Sequence, residues 1–235
     1  MSMLAESITK TGMPDLKIRK GNAVYHALKS AILLRELEPE ESIGEQQVAG
    51  QLGCSQGTVR EALLRLQDDG LVQRRGYRGT VVSRTTMTEA AEMAMIRIRL
   101  ESEGIRRALT VYNDEKRRAL VDILDRMEVA NDGGDSYSLS EYDRLFHITL
   151  FEAAEMPILE PVLSRCALHM HRYTFATRPE RKKELSPMAA HAPILEALES
   201  GDPDAAALAA KSHIESVLDR WSPELLKTIQ AQDYG

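Results

Sequence analysis

The residues of this chain with the clearest potential for chemistry are three histidines and an aspartate in its C-terminal half. Asp143 and His147 are four residues apart on one predicted helix, so their side chains share a face of it. His191 and His213 lie on two later predicted helices. If the four side chains converge inside a helical bundle, they could hold a divalent metal ion and leave coordination positions for water or a ligand. Spacing alone leaves open a surface hydrogen bond between Asp143 and His147.

A second polar group opens a predicted helix in the N-terminal third. Ser55 is a good N-cap, and an apolar stripe behind it, beginning at Val59, faces the other way. A helix in the DNA major groove presents its N-terminal residues to the base edges, and Gln can pair bidentately with adenine. The residues expected to contact DNA here are Gln46, Ser55, Gln56, Gly57, Thr58 and Arg60. The alternative is that they are ordinary solvated residues.

A basic turn follows this helix. Two short β-prone runs, Leu71–Arg74 and Thr80–Ser83, flank the sequence Arg75-Gly76-Tyr77-Arg78-Gly79, a pattern that predicts a β-hairpin. Arginines at a hairpin tip suit DNA phosphates or the minor groove. We therefore expect Arg75, Gly76 and Arg78 to contact DNA.

The elements around these groups predict a mostly α protein in two domains. Helix, short helix, turn, helix and hairpin over residues 21–84 form a winged helix-turn-helix with a small β-hairpin wing. An all-α helical bundle is expected over residues 88–222, with a flexible tail over residues 1–20 and a C-terminal tail over residues 223–235. The bundle contains six predicted helical stretches, at about 88–111, 114–131, 137–153, 157–177, 187–199 and 203–221.

Composition is compatible with a DNA-binding head on an acidic body. Residues 1–86 carry 12 Lys and Arg against 10 Asp and Glu, a net charge of +2, whereas residues 87–235 carry 18 against 26, a net charge of −8. Two cysteines cannot form a disulfide framework, and free thiols suggest a reducing compartment. With no signal-peptide run and no apolar stretch of membrane-spanning length, a cytoplasmic protein without membrane association is expected.

Residues 22–83 resemble the winged helix-turn-helix of the GntR regulators. The resemblance rests on Gly44-Glu45-Gln46-Gln47-Val48-Ala49, on Gly53 to Leu63, on Gln67-Asp68-Asp69-Gly70-Leu71-Val72 and on Gly79-Thr80-Val81-Val82. The family commonly has Arg where this chain has Gln56, and often Pro where it has Thr58. The first difference removes a candidate guanine contact, so the operator of other members need not transfer.

Residues 88–220 resemble the all-helical ligand-sensing domain (FCD type) of the FadR branch of this family, and six helices resemble its VanR-type subgroup. The matching pieces are Arg97-Ile98-Arg99-Leu100-Glu101, Asp143-Arg144-Leu145-Phe146-His147, His191 to Leu198, Gly201-Asp202 and His213. In such domains the Asp and three His bind a metal. The resemblance therefore implies that Asp143, His147, His191 and His213 bind a divalent ion, with zinc first and nickel or manganese as alternatives.

The resemblance also implies an effector site. Arg97 matches a position where such domains place a group facing a ligand carboxylate, although a salt bridge to Glu101 is an equal alternative. Arg165, His169, Arg172 and Tyr173 lie along one long predicted helix and could reach the pocket. Taken alone, His26, His169 and His171 are expected to be simply packed or exposed.

Together these features predict a homodimeric, non-enzymatic transcription regulator, more often a repressor in this family. It would bind a pseudo-palindromic double-stranded operator and respond to a small carboxylate held near the metal. Two alternatives remain open. The bundle could be a metal-dependent hydrolase or lyase, because an Asp/His₃ site with open positions can activate water. It could also serve only to dimerise a DNA-binding protein.

Overall fold

The computed structural model describes residues 20–177 and 186–233. The chain divides into two compact units between Thr85 and Thr86. The tail predicted over residues 1–20 lies outside the described residues, apart from Lys20, where the first of the described helices begins. None of the helices in the described ranges combines the length and apolarity needed to cross a membrane.

The described part of the N-terminal unit contains three α-helices and a three-stranded antiparallel sheet. The elements are α1 (Lys20–Leu33), β1 (Ser42–Ile43), α2 (Glu45–Leu52), α3 (Gln56–Asp68), β2 (Val72–Arg74) and β3 (Thr80–Val82). The strand order is β1-β3-β2, with Ile43 opposite Thr80 and Gln73 opposite Val81. The predicted two-stranded hairpin therefore gains a third strand, because the extended piece at β1 pairs with β3.

Local chemistry explains how α3 is presented. Gly53 ends α2 in a left-handed conformation with φ of 61°, which glycine adopts without steric cost. Ser55 then caps α3, because its Oγ accepts a hydrogen bond from the Thr58 N–H at 3.1 Å. The apolar face of α3 packs against α1, and its buried residues are Val59, Ala62, Leu63 and Leu66. The polar opening of α3 is thereby left exposed.

The described part of the C-terminal unit is a bundle of seven helices. They are α4 (Met87–Ala108), α5 (Asp114–Asp132), α6 (Ser136–Glu152), α7 (Glu160–Thr177), α8 (Pro187–Ser200), α9 (Pro203–Trp221) and α10 (Pro223–Asp233). Most begin at a side-chain cap, and α4 has a complete capping box between Thr86 and Glu89. A large apolar core, which includes Leu124, Phe146 and Ile194, holds α4, α5, α6, α8 and α9 together.

The seventh helix corrects the prediction of a tail over residues 223–235. Leu225, Leu226 and Ile229 are buried in a cluster with residues of α4, α7 and α9. An eleven-residue segment carries a weak signal by itself, and its helix is stabilised by this tertiary packing. The prediction of six helices is therefore wrong, and the likeness to the VanR-type subgroup loses the support it drew from that count.

Candidate DNA-binding surface and metal centre

The opening of α3 has the exposure that DNA reading requires. Ser55, Gln56, Gly57 and Arg60 are exposed, and Thr58 is half-buried. The hydroxyls of Ser55 and Thr58 lie 2.9 Å apart, so the capping interaction also orients Thr58. Gln46, the remaining residue predicted on this surface, is exposed on α2.

The wing tip is a single helical turn, Gly76–Arg78, between β2 and β3. Gly76 has φ of 48° and Gly79 has φ of 70°, so both ends of the turn lie in the left-handed region that favours glycine. Arg75 and Arg78 are exposed there, and the Tyr77 side chain is fully exposed at the apex. Sequence reasoning passed over Tyr77, although an aromatic residue inside a basic turn is a recognisable signal.

Two acidic residues that sequence reasoning also missed contact the basic ones. Glu45 is the first residue of α2, and its Oε2 lies 2.6 Å from Arg60 Nη2. Its Oε1 lies 3.8 Å from Arg74 Nη2. The hydrogen bond with Arg60 lowers the pKa of Glu45 and raises that of Arg60. Glu40 contacts Arg75 and Arg78 of the wing. The residues expected to meet phosphate therefore have carboxylate partners within their own chain.

The four residues predicted to bind metal converge in the C-terminal unit. One ligand-type atom from each of Asp143, His147, His191 and His213 lies within 4.8 Å of all the others. The three imidazoles are buried and Asp143 is half-buried. The site draws on α6, α8 and α9, so only the packed bundle creates it. The surface hydrogen bond that spacing left open for Asp143 and His147 does not describe this buried geometry.

The orientation of the three imidazoles tests whether the site fits a metal. Nδ1 of His147 lies 2.6 Å from Glu101 Oε2. Nδ1 of His191 lies 2.8 Å from the Pro187 carbonyl, and Nδ1 of His213 lies 3.1 Å from the Ala190 carbonyl. Because all three partners are acceptors, the arrangement favours a proton on each Nδ1, which would leave the lone pair of each Nε2 available to a metal.

Two of these Nε2 atoms receive no hydrogen bond from the described part of the chain. Nε2 of His147 and Nε2 of His191 are buried, and no group among the described residues donates a hydrogen bond to either. Uncompensated buried acceptors are costly, and a cation would satisfy them. One carboxylate oxygen and three imidazole nitrogens form a donor set that suits zinc and neighbouring divalent ions. The residues present therefore fit a divalent metal.

Electrostatics favour the protonation states that metal ligation needs at Asp143, His147 and His213. Burial lowers the pKa of His213 well below its ordinary value, and the neighbouring His191 and His147 lower it further. Burial also lowers the pKa of His147, although Glu101 opposes the effect. Burial alone would raise the pKa of Asp143, but contacts with His171 and His191 hold it well below the ordinary value. Neutral imidazoles beside a carboxylate are the ligating forms.

The acidic residue that contacts His147 belongs to a buried ion pair. Arg97 and Glu101, both on α4, are 3% and 5% exposed, and the Arg97 Nε–H donates to Glu101 Oε1. Burial would raise the pKa of Glu101, but Arg97, and then His147, lower it to about 2. Of the two roles left open for Arg97, the structure shows the salt bridge. Glu101 was missed as part of the metal centre because nothing in the sequence pairs it with His147.

A cavity of about 120 Å³ opens onto the metal-type residues. Asp143, His191 and His213 form part of its wall, with Arg220 and Trp221 at the end of α9. The other lining residues are Met127, Leu139, Ser140, His171, Thr174, Phe175, Pro187, Ala190, Ser216 and Val217. This mixture of apolar walls with a few polar groups is typical of small-molecule sites.

The predicted effector residues do not form this wall. Arg165 is exposed, His169 and Arg172 are buried, and Tyr173 packs against the apolar cluster around α10. The cavity face of α7 consists instead of His171, Thr174 and Phe175, at i, i+3 and i+4. His171, expected to be simply packed or exposed, lies with Nε2 3.0 Å from Asp143 Oδ2. The sequence thus indicated that α7 contributes to the cavity, but the structure shows that a different face of α7 lines it.

These observations define the class of protein. A winged helix-turn-helix with an exposed reading helix and basic wing occupies the N-terminal unit. A helical bundle with a buried Asp/His₃ site beside a cavity occupies the C-terminal unit. Proteins of this class regulate transcription by binding DNA.

Comparison with known proteins gives the family. Residues 20–82 match the family described as bacterial regulatory proteins, gntR family, and residues 92–216 match the FCD domain. The chain belongs to the GntR family of transcriptional regulators and carries an FCD domain, which confirms the resemblance inferred from its motifs and the mostly α fold class.

Individual relatives agree with this assignment. Over 177 residues, 75% of this chain and 77% of the relative, it is 32% identical to the "Probable D-xylose utilization operon transcriptional repressor" of Paenarthrobacter nicotinovorans. It is 23% identical to the HTH-type transcriptional repressor RspR of Escherichia coli over 194 residues, 83% and 85% of the two chains. The solved structure of E. coli McbR/YncC shares the fold, with a TM-score of 0.68 at 21% identity over 93% of this chain and all of that one.

Proposed function

We propose that this regulator is a homodimeric repressor whose operator affinity is controlled by a small carboxylate metabolite bound beside a metal in the FCD domain. One observation carries the proposal. Asp143, His147, His191 and His213 converge, and Asp143, His191 and His213 also line a cavity of about 120 Å³. Repression is inferred from two relatives named as repressors, RspR and the D-xylose operon protein.

Asp143, His147, His191 and His213 would hold the ion. When bound, the metal supplies a positive charge that can attract an anionic group, with zinc the first candidate and nickel or manganese alternatives. Arg220 at the cavity wall suits a second polar or anionic group of the ligand, and Trp221 and Phe175 suit its apolar part. This arrangement favours a small molecule that is polar at both ends.

The head would bind DNA in the major groove through the opening of α3, with Gln56 reading a base and Arg60 contacting phosphate. Arg75 and Arg78 would contact the backbone beside the wing. A two-fold dimer would read a pseudo-palindromic operator. The effector can change operator affinity only if it binds the two states of the dimer with different affinities.

Metal analysis of the purified protein tests the centre. We expect close to one divalent ion per chain, lost in Asp143→Ala and in His147→Ala. His169→Ala is the matched control, because His169 is also a buried imidazole on this bundle but is not part of the four-residue site. Unchanged metal content in both site variants would contradict the site.

The same preparations separate the alternatives. A melting screen with and without metal over sugar acids, aromatic acids and central-metabolism carboxylates should reveal stabilisation that disappears in His147→Ala. Turnover of any of these acids would support the hydrolase or lyase alternative. If no ligand stabilises the protein while DNA binding and dimerisation persist, the FCD domain serves only to dimerise the chain.

A further inference from the structure

Glu40 holds an unusual backbone position in the DNA-binding unit. It precedes β1 with φ of 70°, in the left-handed region that residues with a Cβ rarely adopt. Its N–H donates to the Val82 carbonyl at 2.9 Å, which ties the residue to the end of β3. A strained residue that is not glycine invites a search for what its side chain does.

The side chain of Glu40 reaches both wing arginines. Its Oε2 lies 2.5 Å from Arg75 Nη1 and 3.6 Å from Arg78 Nη1. Arg78 Nη2 also donates to the Glu40 backbone carbonyl at 3.0 Å. One acidic residue thus contacts both arginines at the wing tip.

We propose that Glu40 competes with DNA phosphate for Arg75 and Arg78 and so sets the affinity of the wing for DNA. A carboxylate and a phosphate use the same guanidinium donors, so the arginines must release one to bind the other. Phosphate contacts carry no sequence information, so Glu40 lowers affinity for DNA of any sequence. Stable binding then depends more heavily on base contacts from α3.

This inference rests on the wing contacts in the proposed function, and it has a clear opposite. If Glu40 instead held the wing in the shape that DNA needs, removal of its charge would weaken binding. The two roles predict changes of opposite sign in the same measurement.

The test compares the full chain with its Glu40→Gln variant by fluorescence anisotropy on a mixed-sequence duplex across a salt series. Competition predicts binding about two- to fivefold tighter at low salt, the range for loss of one exposed ion pair, and a salt dependence steeper by about one phosphate contact. The matched control is Glu41→Gln, which makes the same charge change at an exposed neighbour whose carboxylate accepts from the Glu38 N–H. Binding by Glu40→Gln that equals or falls below that of Glu41→Gln would overturn the proposal.

Two further variants distinguish a failure of this inference from a failure of the proposed contact between the wing and DNA. Arg75→Ala and Arg78→Ala should each weaken binding if the wing contacts DNA. Weakening by both, with no gain from Glu40→Gln, would refute competition while leaving the wing role intact. No weakening by either would refute the wing role and the inference with it.

Glu40→Gly should bind DNA as tightly as Glu40→Gln does. It should also melt at a higher temperature than Glu40→Gln, because glycine adopts the left-handed backbone without strain.

Discussion

Substitution of Glu101 by Gln removes the charge that both contacts His147, a proposed metal ligand, and neutralises the buried Arg97. Gln keeps the length of the side chain and can still accept one hydrogen bond. Arg97 is left buried, and its remaining carboxylate is Asp143, 3.9 Å away. We expect two separable losses, one in the metal-free protein and one in metal affinity.

The size of the first loss follows from the pKa of Glu101. Its ordinary value is 4.5 and its surroundings lower it to about 2. At about 1.36 kcal/mol for each pKa unit, the surroundings favour the carboxylate by about 3 kcal/mol. Removal of one partner from a buried ion pair costs about 3–5 kcal/mol, which agrees. For a unit of this size we expect the melting temperature to fall by about 6–12 °C.

The second loss concerns His147. Without a carboxylate on Nδ1, the imidazole is less firmly oriented and less basic, and loss of such an outer partner typically lowers metal affinity about 10- to 100-fold. At a fixed excess of metal, the stabilisation that metal adds should shrink by about 1.4–2.7 kcal/mol.

The assay measures melting with a chelator and with excess zinc, together with zinc affinity by competition against a chromophoric chelator. Glu103→Gln is the control, because Glu103 lies on the same helix, is 40% exposed and pairs with Arg99 and Arg106. It should change stability by less than about 1 kcal/mol and leave zinc affinity unchanged.

Two results would refute the reasoning separately. If Glu101→Gln lowers metal-free stability but retains wild-type zinc affinity, Glu101 supports Arg97 and does not orient His147. If metal-free melting is unchanged, the argument from the buried ion pair is wrong.

Further predictions concern the reading helix and the last helix. Gln56→Ala should change base preference at one operator position by about 1–3 kcal/mol in a scan of operator variants, and equal binding of every variant would contradict a base-reading role. Arg60→Ala should weaken binding to all sequences and reduce the salt slope by about one; an unchanged slope would count against its phosphate contact. Leu225→Ala should lower the free energy of unfolding by about 2–5 kcal/mol in denaturant titration. Leu208→Ala, at an exposed site, should stay within about 0.5 kcal/mol, and equal effects would argue that α10 does not pack as described.

The chain's own sequence was sufficient for features that depend on local chemistry. Ser55 and Gly53 mark the ends of their helices because capping and left-handed turns involve only near neighbours. The spacing of Asp143 and His147 placed both on one helical face. Their motifs, with those of the head, were enough to indicate the family.

Long-range packing decided the rest. The helix at Pro223–Asp233 exists because its leucines are covered by other helices, and the ladder partner of β1 lies almost forty residues along the chain. Sequence could not show that α7 turns His171 toward the cavity, because that helix has apolar and polar residues on several sides. Folding also brought Glu101 beside His147 and Glu40 beside Arg75 and Arg78, since contacts between residues distant in the chain leave no periodic signal. Residue types and local spacing therefore indicated which groups could bind DNA and metal. Only the packed structure showed which other side chains contact those groups.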